Sequence, residues 1–404
     1  PNHPNLCLHA SICHSWEQPS IERPTATTTY QVTLTDLIPK FPSLMPSSRY
    51  GSCWTAGIWP LPCMIVFPIF LMSFLLVAAD GKNFSEAVLK KWDEVAQHGV
   101  ISSVAMSALP GPSPPRTGPG ALRLVDGSLG MVLQYSPHRA LKRSLNRTEL
   151  TTTFIPFDPT KFHFGKVKAN EVLACFDPNR PKHQGGVVAG GVEDMCNEEG
   201  QASVIVNVNP VCLGHLLLVP MLSKHHPQVL NYEAARIAMQ FASVMPARFW
   251  FSFNSVGAGA SVNHLHWQMF SPGDGGESDF PISLAARKAH VVVKQSRFGC
   301  ILKNTESNWP LLGWLLDCSE DASVEAMAKH LADFIGQLQI LDVAHNVLAL
   351  DNGKRVLIFP RRVLNQQGMD VSRLQVAGHE VLGWWIVPKL EDFESLSEVE
   401  ATAL

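Results

Sequence analysis

Between residues 200 and 270 the hydrophobic positions alternate between strand-like and helical spacing, and each switch marks an element. "SVIVNVNP" (203–210) and "GHLLLVP" (214–220) are β-branched or aliphatic runs joined through a tight Asn-Pro connection, which predicts a hairpin. "NYEAARIAMQFASVM" (231–245) spaces Ala235, Ile237, Ala238, Phe241 and Val244 at helical intervals and is stopped by Pro246. "FWFSFN" (249–254) reads as another strand, and a glycine-rich turn leads from it into "SVNHLHWQMF" (261–270). There His264, His266 and Gln268 alternate with Leu265, Trp267 and Met269. In an extended chain that alternation places the polar three on one face and the apolar three on the other.

A weaker echo of this pattern follows. "SVEAMAKHLADFIGQLQIL" (323–341) is an amphipathic helix, and "HNVLAL" and "RVLIFP" flank the hairpin-turn sequence "DNGK". "VAGHEVLGWWIVP" (376–388) reads as a last strand pair. Helix then hairpin, without an HxH, predicts a second half that kept the frame and lost the chemistry. The expected fold is α+β, with two related halves around one continuous antiparallel sheet. Upstream, "NFSEAVLKKWDEVAQHG" (83–99) predicts a helix with Ser85 as N-cap and Gly99 past its end. "PGPSPPRTGPG" (110–120) is a loop by composition, and "GMVLQY" (130–135) is a short strand-like run. Residues 1–82 carry no sustained period and read as low-order sequence. The expected organisation is therefore that region, a catalytic half over 83–310 and a degenerate half over 311–404.

Composition narrows the partners. The chain has 404 residues, 46 % hydrophobic and 17 % charged, with a formal net charge of -3. Nothing polybasic is present, so nucleic acid is not expected as a partner. Nine cysteines, widely spaced and without a CxxC pair, argue against a disulfide framework and a structural zinc site. Reduced thiols in a cytoplasmic protein, also compatible with the nucleus, are the expectation. The uncharged stretch "GIWPLPCMIVFPIFLMSFLLVAA" (57–79) is long enough to cross a bilayer at about 20 residues. It admits three readings: a membrane anchor, a signal sequence starting at Met64, or low-order sequence from an inaccurate gene model. Pro60, Pro62 and Pro68 interrupt a helix there, and no basic n-region precedes Met64.

The polar face of His264, His266 and Gln268 has three readings on pattern alone. The histidines could be structural, could ligate a metal with His215, His225 or His226, or could be catalytic. The preceding "NSVGAGAS" (254–261) offers backbone N–H groups unobstructed by side chains, with the hydroxyls of Ser255 and Ser261, a composition suited to cradling phosphate. A neutral histidine beside a phosphate can attack phosphorus and form a phosphoramidate, splitting one displacement into two. Gln268 would bond phosphate oxygens without offering a proton.

"VNVNPVCLGHLLLVP" followed by "HLHWQ" resembles the histidine-triad superfamily, in its HxHxQ branch of nucleotidyl transferases and phosphorylases. "FDPTKFHFGKV", "FNSVGAGASVNHLHWQ", "HNVLALDNGKRVLIFP" and "AGHEVL" are similar, in order, to blocks of the GDP-L-galactose phosphorylase and GDP-D-glucose phosphorylase family. The resemblance spans roughly residues 85–404. It implies His266 as the nucleophile that takes up GMP, His264 as the residue orienting it, and Gln268 at the α-phosphate. It further implies Asn254, Gly257 and Ser261 at the phosphate, Asn207 at the ribose, Gly214-His215 as a close-approach turn, and Lys166 in the nucleotide pocket. GDP-hexose and inorganic phosphate are the implied substrates, with no cofactor, no metal and a possible homodimer. The HxHxQ form leans toward the plant and algal activity on GDP-L-galactose, with a GDP-D-glucose phosphorylase or a non-catalytic guanine-nucleotide-binding regulatory protein as the alternative readings.

Overall fold

The computed structural model describes residues 84–110, 115–141, 150–178, 196, 200–271, 291–295, 300–304, 311, 313–318, 323–361 and 376–403. The apolar stretch 57–79 and the rest of the expected low-order region lie outside them. No helix among the described residues is long and apolar enough to cross a membrane.

Helix α1 (84–97) gives way to Gly99, whose φ of 77° suits a glycine after a helix end. Ser85 is not its N-cap: the helix already includes Phe84, whose ring packs against Phe176 and Phe241, and Ser85 is buried inside it. A one-turn helix α2 (Ser103–Ser107) follows, capped by the Ser102 hydroxyl on Ala105 N–H. Strands β1 (Leu122–Leu124) and β2 (Val132–Tyr135) then begin a three-stranded sheet.

Among the described residues the main sheet has ten strands, all paired antiparallel. In chain order they are β3 (Val172–Phe176), β4 (Ala202–Val206), β5 (Leu216–Pro220), β6 (Trp250–Asn254), β7 (Trp267–Phe270), β8 (Val291–Gln295), β9 (Cys300–Asn304), β10 (Trp314–Cys318), β11 (His345–Leu350) and β12 (Arg355–Pro360). Their spatial order is β3-β4-β5-β7-β6-β11-β12-β10-β9-β8. Read from either edge, the sequence of roles is the same: a three-strand meander, a hairpin strand, then a central strand. Helix α3 (Tyr232–Val244) lies between β5 and β6, as helix α4 (Val324–Ile340) lies between β10 and β11, and the two helices pack together. Asn231 and Ser323 cap them through the N–H groups of Ala234 and Ala326. The sheet is two five-strand units meeting at the β6–β11 pair, where Asn254 stands opposite Asn346, and β8 and β9 stand in the second unit although they precede residue 311.

One difference between the halves explains why only one carries the polar motif. Residues 255–266 connect β6 to β7, whereas residues 351–354 alone connect β11 to β12. The short turn, with Asn352 and Gly353 at positive φ, leaves no chain for a glycine loop or an HxH.

The expected last strand pair is corrected. Residues 376–388 form a short helix α5 (Gly378–Val381) and a single strand β13 (Trp384–Val387), which joins the small sheet parallel to β2. The Glu380 carboxylate accepts Ala377 N–H at 2.9 Å, starting the helical turn, and Gly383 at φ 93° redirects the chain. The small sheet adds Leu133, Trp384 and Trp385 to a core shared with Trp250, Leu348 and Phe359 of the large one.

Candidate active site

The ladder of β7 begins only at Trp267, so His264 and His266 lie in the run-in to the strand. Leu265, Trp267 and Met269 are fully buried, as the alternation predicted. What holds the run-in is the side chain of Gln228, which substitutes for a neighbouring peptide. Its Oε1 accepts His266 N–H at 2.9 Å, and its Nε2 donates to the carbonyls of His266 (3.1 Å) and Asn254 (2.9 Å). Asn263 Oδ1 in turn accepts Gln228 N–H at 3.0 Å.

These bonds set the tautomer of His266. Its Nδ1 lies 2.8 Å from the His264 carbonyl oxygen and 3.0 Å from Gln228 Oε1. Both neighbours are acceptors, so Nδ1 carries the proton and Nε2 carries the lone pair. His264 has the reverse arrangement. Its Nδ1 accepts the N–H of Phe164 at 3.0 Å, which places the proton on Nε2. That Nε2–H is buried without a hydrogen-bond partner among the described residues. Burial, reinforced by His266 and then by His225, His163 and His226, pushes the His264 pKa down to about 3, so the ring is neutral at physiological pH.

Aromatic rings pack the pair in place. Phe164 lies 4.8 Å from the His266 ring, centroid to centroid, and stacks on His264 at 5.7 Å. Phe157 stacks on His225 at 4.9 Å and meets His163 and His264 edge-on. Burial and the neighbouring charges of His225 and Lys166 also lower the His163 pKa. Among the described residues no group of three or more His, Cys, Asp or Glu is arranged to hold a metal ion.

The glycine-rich connection follows Asn254. Gly257 (φ 83°) and Gly259 (φ 97°) take up conformations that other residues rarely adopt, and Ala258 N–H closes a turn on Ser255 O at 3.0 Å. A Cβ on Gly259 would stand 2.6 Å from the Cβ of Ala377, so the loop also needs glycine for contact with the second half. The Ser255 hydroxyl accepts His345 N–H at 2.8 Å and donates to Val256 O, joining the halves.

A family model described as GDPGP1-like, N-terminal domain, matches residues 83–270, and its C-terminal counterpart matches 293–404. GDP-D-glucose phosphorylase 1 of Homo sapiens is 34 % identical over 307 residues, covering 70 % of this chain and 71 % of that protein. The chain belongs to the GDPGP1-like family. GDP-L-galactose phosphorylase 2 and 1 of Arabidopsis thaliana are 26 % and 25 % identical over 70 % of this chain, which spans 65 % and 63 % of their lengths. The fold is that of yeast Ap4A phosphorylase Apa2: its AMP complex superposes with a TM-score of 0.50 at 14 % identity, covering 78 % of this chain and 90 % of that one.

Within this GDPGP1-like frame the structure brings His264, His266 and Asn254 together through Gln228, with the loop of Gly257 beside them. Gln268 lies on β7 between Leu217 and Ser252 of the flanking strands and is half-buried. Ser261 is half-buried after the glycine loop. Asn207 sits in the β4–β5 turn, its Oδ1 accepting Asn209 N–H and its amide nitrogen 3.0 Å from His215 Nε2. Gly214 has φ 70°, and His215 Nδ1 accepts Val211 N–H at 3.0 Å, so both shape that turn. Lys166 lies away from the expected pocket role: its ammonium donates to the carbonyls of Pro159, Thr160 and Lys161 and closes the loop that carries His163. Phe157 and Phe164 lie in the block "FDPTKFHFGKV" and Asn263 in "FNSVGAGASVNHLHWQ", whereas Gln228 belongs to the site without a motif to mark it. Only the run "HFG" beside "FDPTK" hints that an aromatic loop covers the histidines.

Proposed function

We propose that this protein is a GDP-hexose phosphorylase, transferring GMP to inorganic phosphate through a GMP-histidine on His266, with GDP-L-galactose as substrate. The observation that carries the reading is the tautomer of His266, with a proton held on Nδ1 by two acceptors and the lone pair on Nε2.

In the first step Nε2 attacks the α-phosphorus and the bond from that phosphorus to the bridging oxygen breaks, releasing hexose 1-phosphate. The imidazole becomes cationic as the N–P bond forms. The His264 carbonyl and Gln228 Oε1 already face its Nδ1–H and stabilise that charge without reorganisation. In the second step an oxygen of inorganic phosphate attacks the same phosphorus, the N–P bond breaks and GDP leaves. His266 returns to its starting tautomer. Nothing in this sequence requires a proton from His264, whose low pKa keeps it neutral. Its Nε2–H and the neutral amide of Gln268 suit donation to phosphate oxygens.

The HxHxQ form supports GDP-L-galactose, and the 34 % identity to the human relative supports GDP-D-glucose as the competing substrate. Turnover of both sugars with and without phosphate, with intact-mass detection of the enzyme, tests the proposal. A phosphate-dependent GDP product and a GMP adduct that disappears in His266→Asn are expected. Turnover by His266→Asn rejects the nucleophile, and phosphate-independent release of GMP indicates a hydrolase. The ratio of kcat/KM for the two sugars decides between them.

A further inference from the structure

Asn254 ends β6 beside the glycine loop, and its side chain is 3 % exposed. Its two amide atoms have unequal surroundings. Oδ1 accepts from Asn346 Nδ2 at 2.7 Å and from Gly378 N–H at 3.0 Å, with the Ser252 hydroxyl at 3.4 Å. Nδ2 has no hydrogen-bond partner among the described residues.

Which atom of an amide is oxygen has to be deduced from its neighbours, and here two obligate donors settle it. Gly378 N–H can only donate, so the Asn254 atom facing it is oxygen. The Arg361 guanidinium has no acceptor, so the Asn346 atom 2.9 Å from Nη1 is also oxygen. The other end of Asn346 is then NH2, which donates to Asn254 Oδ1 and, at 2.7 Å, to Ala258 O in the glycine loop. Arg361 is itself held by Val376 O at 3.0 Å. Donor polarity therefore passes from Arg361 through Asn346 to Asn254 and ends on the amide hydrogens of Asn254. Gly378 must be glycine for this: a Cβ there would lie 2.9 Å from Asn254 Oδ1.

We infer that Arg361 and Asn346, both from the half without the HxH, are positioning residues that fix the Asn254 amide as a donor to an α-phosphate oxygen. The inference rests on the GMP-transfer reading above. A buried NH2 without a partner is rare, and a phosphate oxygen is the acceptor it lacks. Gln228 Nε2 bridges the main-chain carbonyls of Asn254 and His266, and Ser252, two residues before Asn254, pairs with Gln268, so the Asn254 side chain stands on the same sheet face as Gln268. Among the described residues, the second half thus acts by orienting a donor that the first half supplies.

The test is a double-mutant cycle on kcat and on the single-turnover rate of GMP-enzyme formation. Asn254→Ala is expected to lower kcat about 100-fold, in the range for loss of one preorganised donor. Asn346→Asp keeps the bond to Arg361 but turns an oxygen toward Asn254 and Ala258, and is expected to lower kcat about 30-fold with KM changed less than about 3-fold. In the Asn254→Ala background the same substitution should cost less than about 2-fold. Equal losses in both backgrounds overturn the inference. Should Asn346→Asp fail to melt as a folded protein, Arg361→Gln and Arg361→Lys carry the same cycle. Lys keeps an obligate donor and should retain most of the rate, whereas Gln can present either amide end and should not. Absence of GMP transfer in the wild type would instead reject the underlying reading.

Discussion

At the scale of single residues, the site depends on one side chain that acts as backbone. Gln228 satisfies the N–H and the carbonyl of His266, shares its Nδ1 proton and ties it to Asn254. Gln228→Leu removes all four bonds and strands buried polar groups, while Gln228→Glu keeps the acceptor and loses the donor. The Leu variant is expected to lose about 100-fold in kcat, in the range for displacement of the proposed nucleophile, and the Glu variant less. Steady-state kinetics on both checks this, and equal rates for wild type and Gln228→Leu would refute it. His264 and His266 were legible in the sequence because HxH next to a glycine run is a compact signal. Gln228 was not, because it stands alone after "HHP" and meets its partners only when the chain folds back from β7. Lys166 shows the opposite limit: a lone cation in a motif looks like a ligand until its carbonyl partners are placed.

At the scale of elements, periodicity located the strands and helices well wherever one face was buried. It misread residues 376–388, where a buried helical turn and a buried strand are both continuous apolar runs. Glycines separate the two roles that composition alone cannot. Gly259 combines a φ of 97° with a Cβ position 2.6 Å from the Ala377 Cβ, whereas a Cβ on Gly336, inside α4, meets nothing within 4 Å. Gly259→Ala is expected to destabilise the fold by about 1–3 kcal/mol and to displace the glycine-rich loop from Ala377. Gly336→Ala is expected to stabilise it by about 0.5–1 kcal/mol at unchanged activity, from helix propensity alone. Denaturant melts and kcat of the two variants give the comparison. A harmless Gly259→Ala would mean that the loop and α5 do not meet as closely as described.

At the scale of the whole molecule, two buried histidines on the two halves couple stability to pH. His264 lies before β7, and His345 opens β11, where its Nδ1 is 2.9 Å from Val343 O and its ring stacks on Phe253. Burial lowers the His264 pKa to about 3 and the His345 pKa to about 4, from an ordinary value of 6.5. The unfolded chain takes up both protons near pH 6.5, and the native chain takes them up only near those lower values. Acid therefore favours the unfolded state across that interval. The native state has its full stability from these groups above pH 6.5 and loses it as the pH falls toward 4, at about 1.4 kcal/mol per pH unit for each histidine. Below about pH 4 only His264 continues to contribute to the slope. His345 is bonded to Ser255 and Val343 and stacks on Phe253, and its share of the slope is read from unfolding rather than from activity. His345→Asn, whose amide can still donate to Val343 O, is expected to flatten the slope between pH 6.5 and 4 by one histidine's share. Unfolding free energies from urea melts at half-unit pH steps measure it directly. An unchanged slope in His345→Asn would show that this histidine already carries its proton in the folded protein, and that the β6–β11 junction admits water.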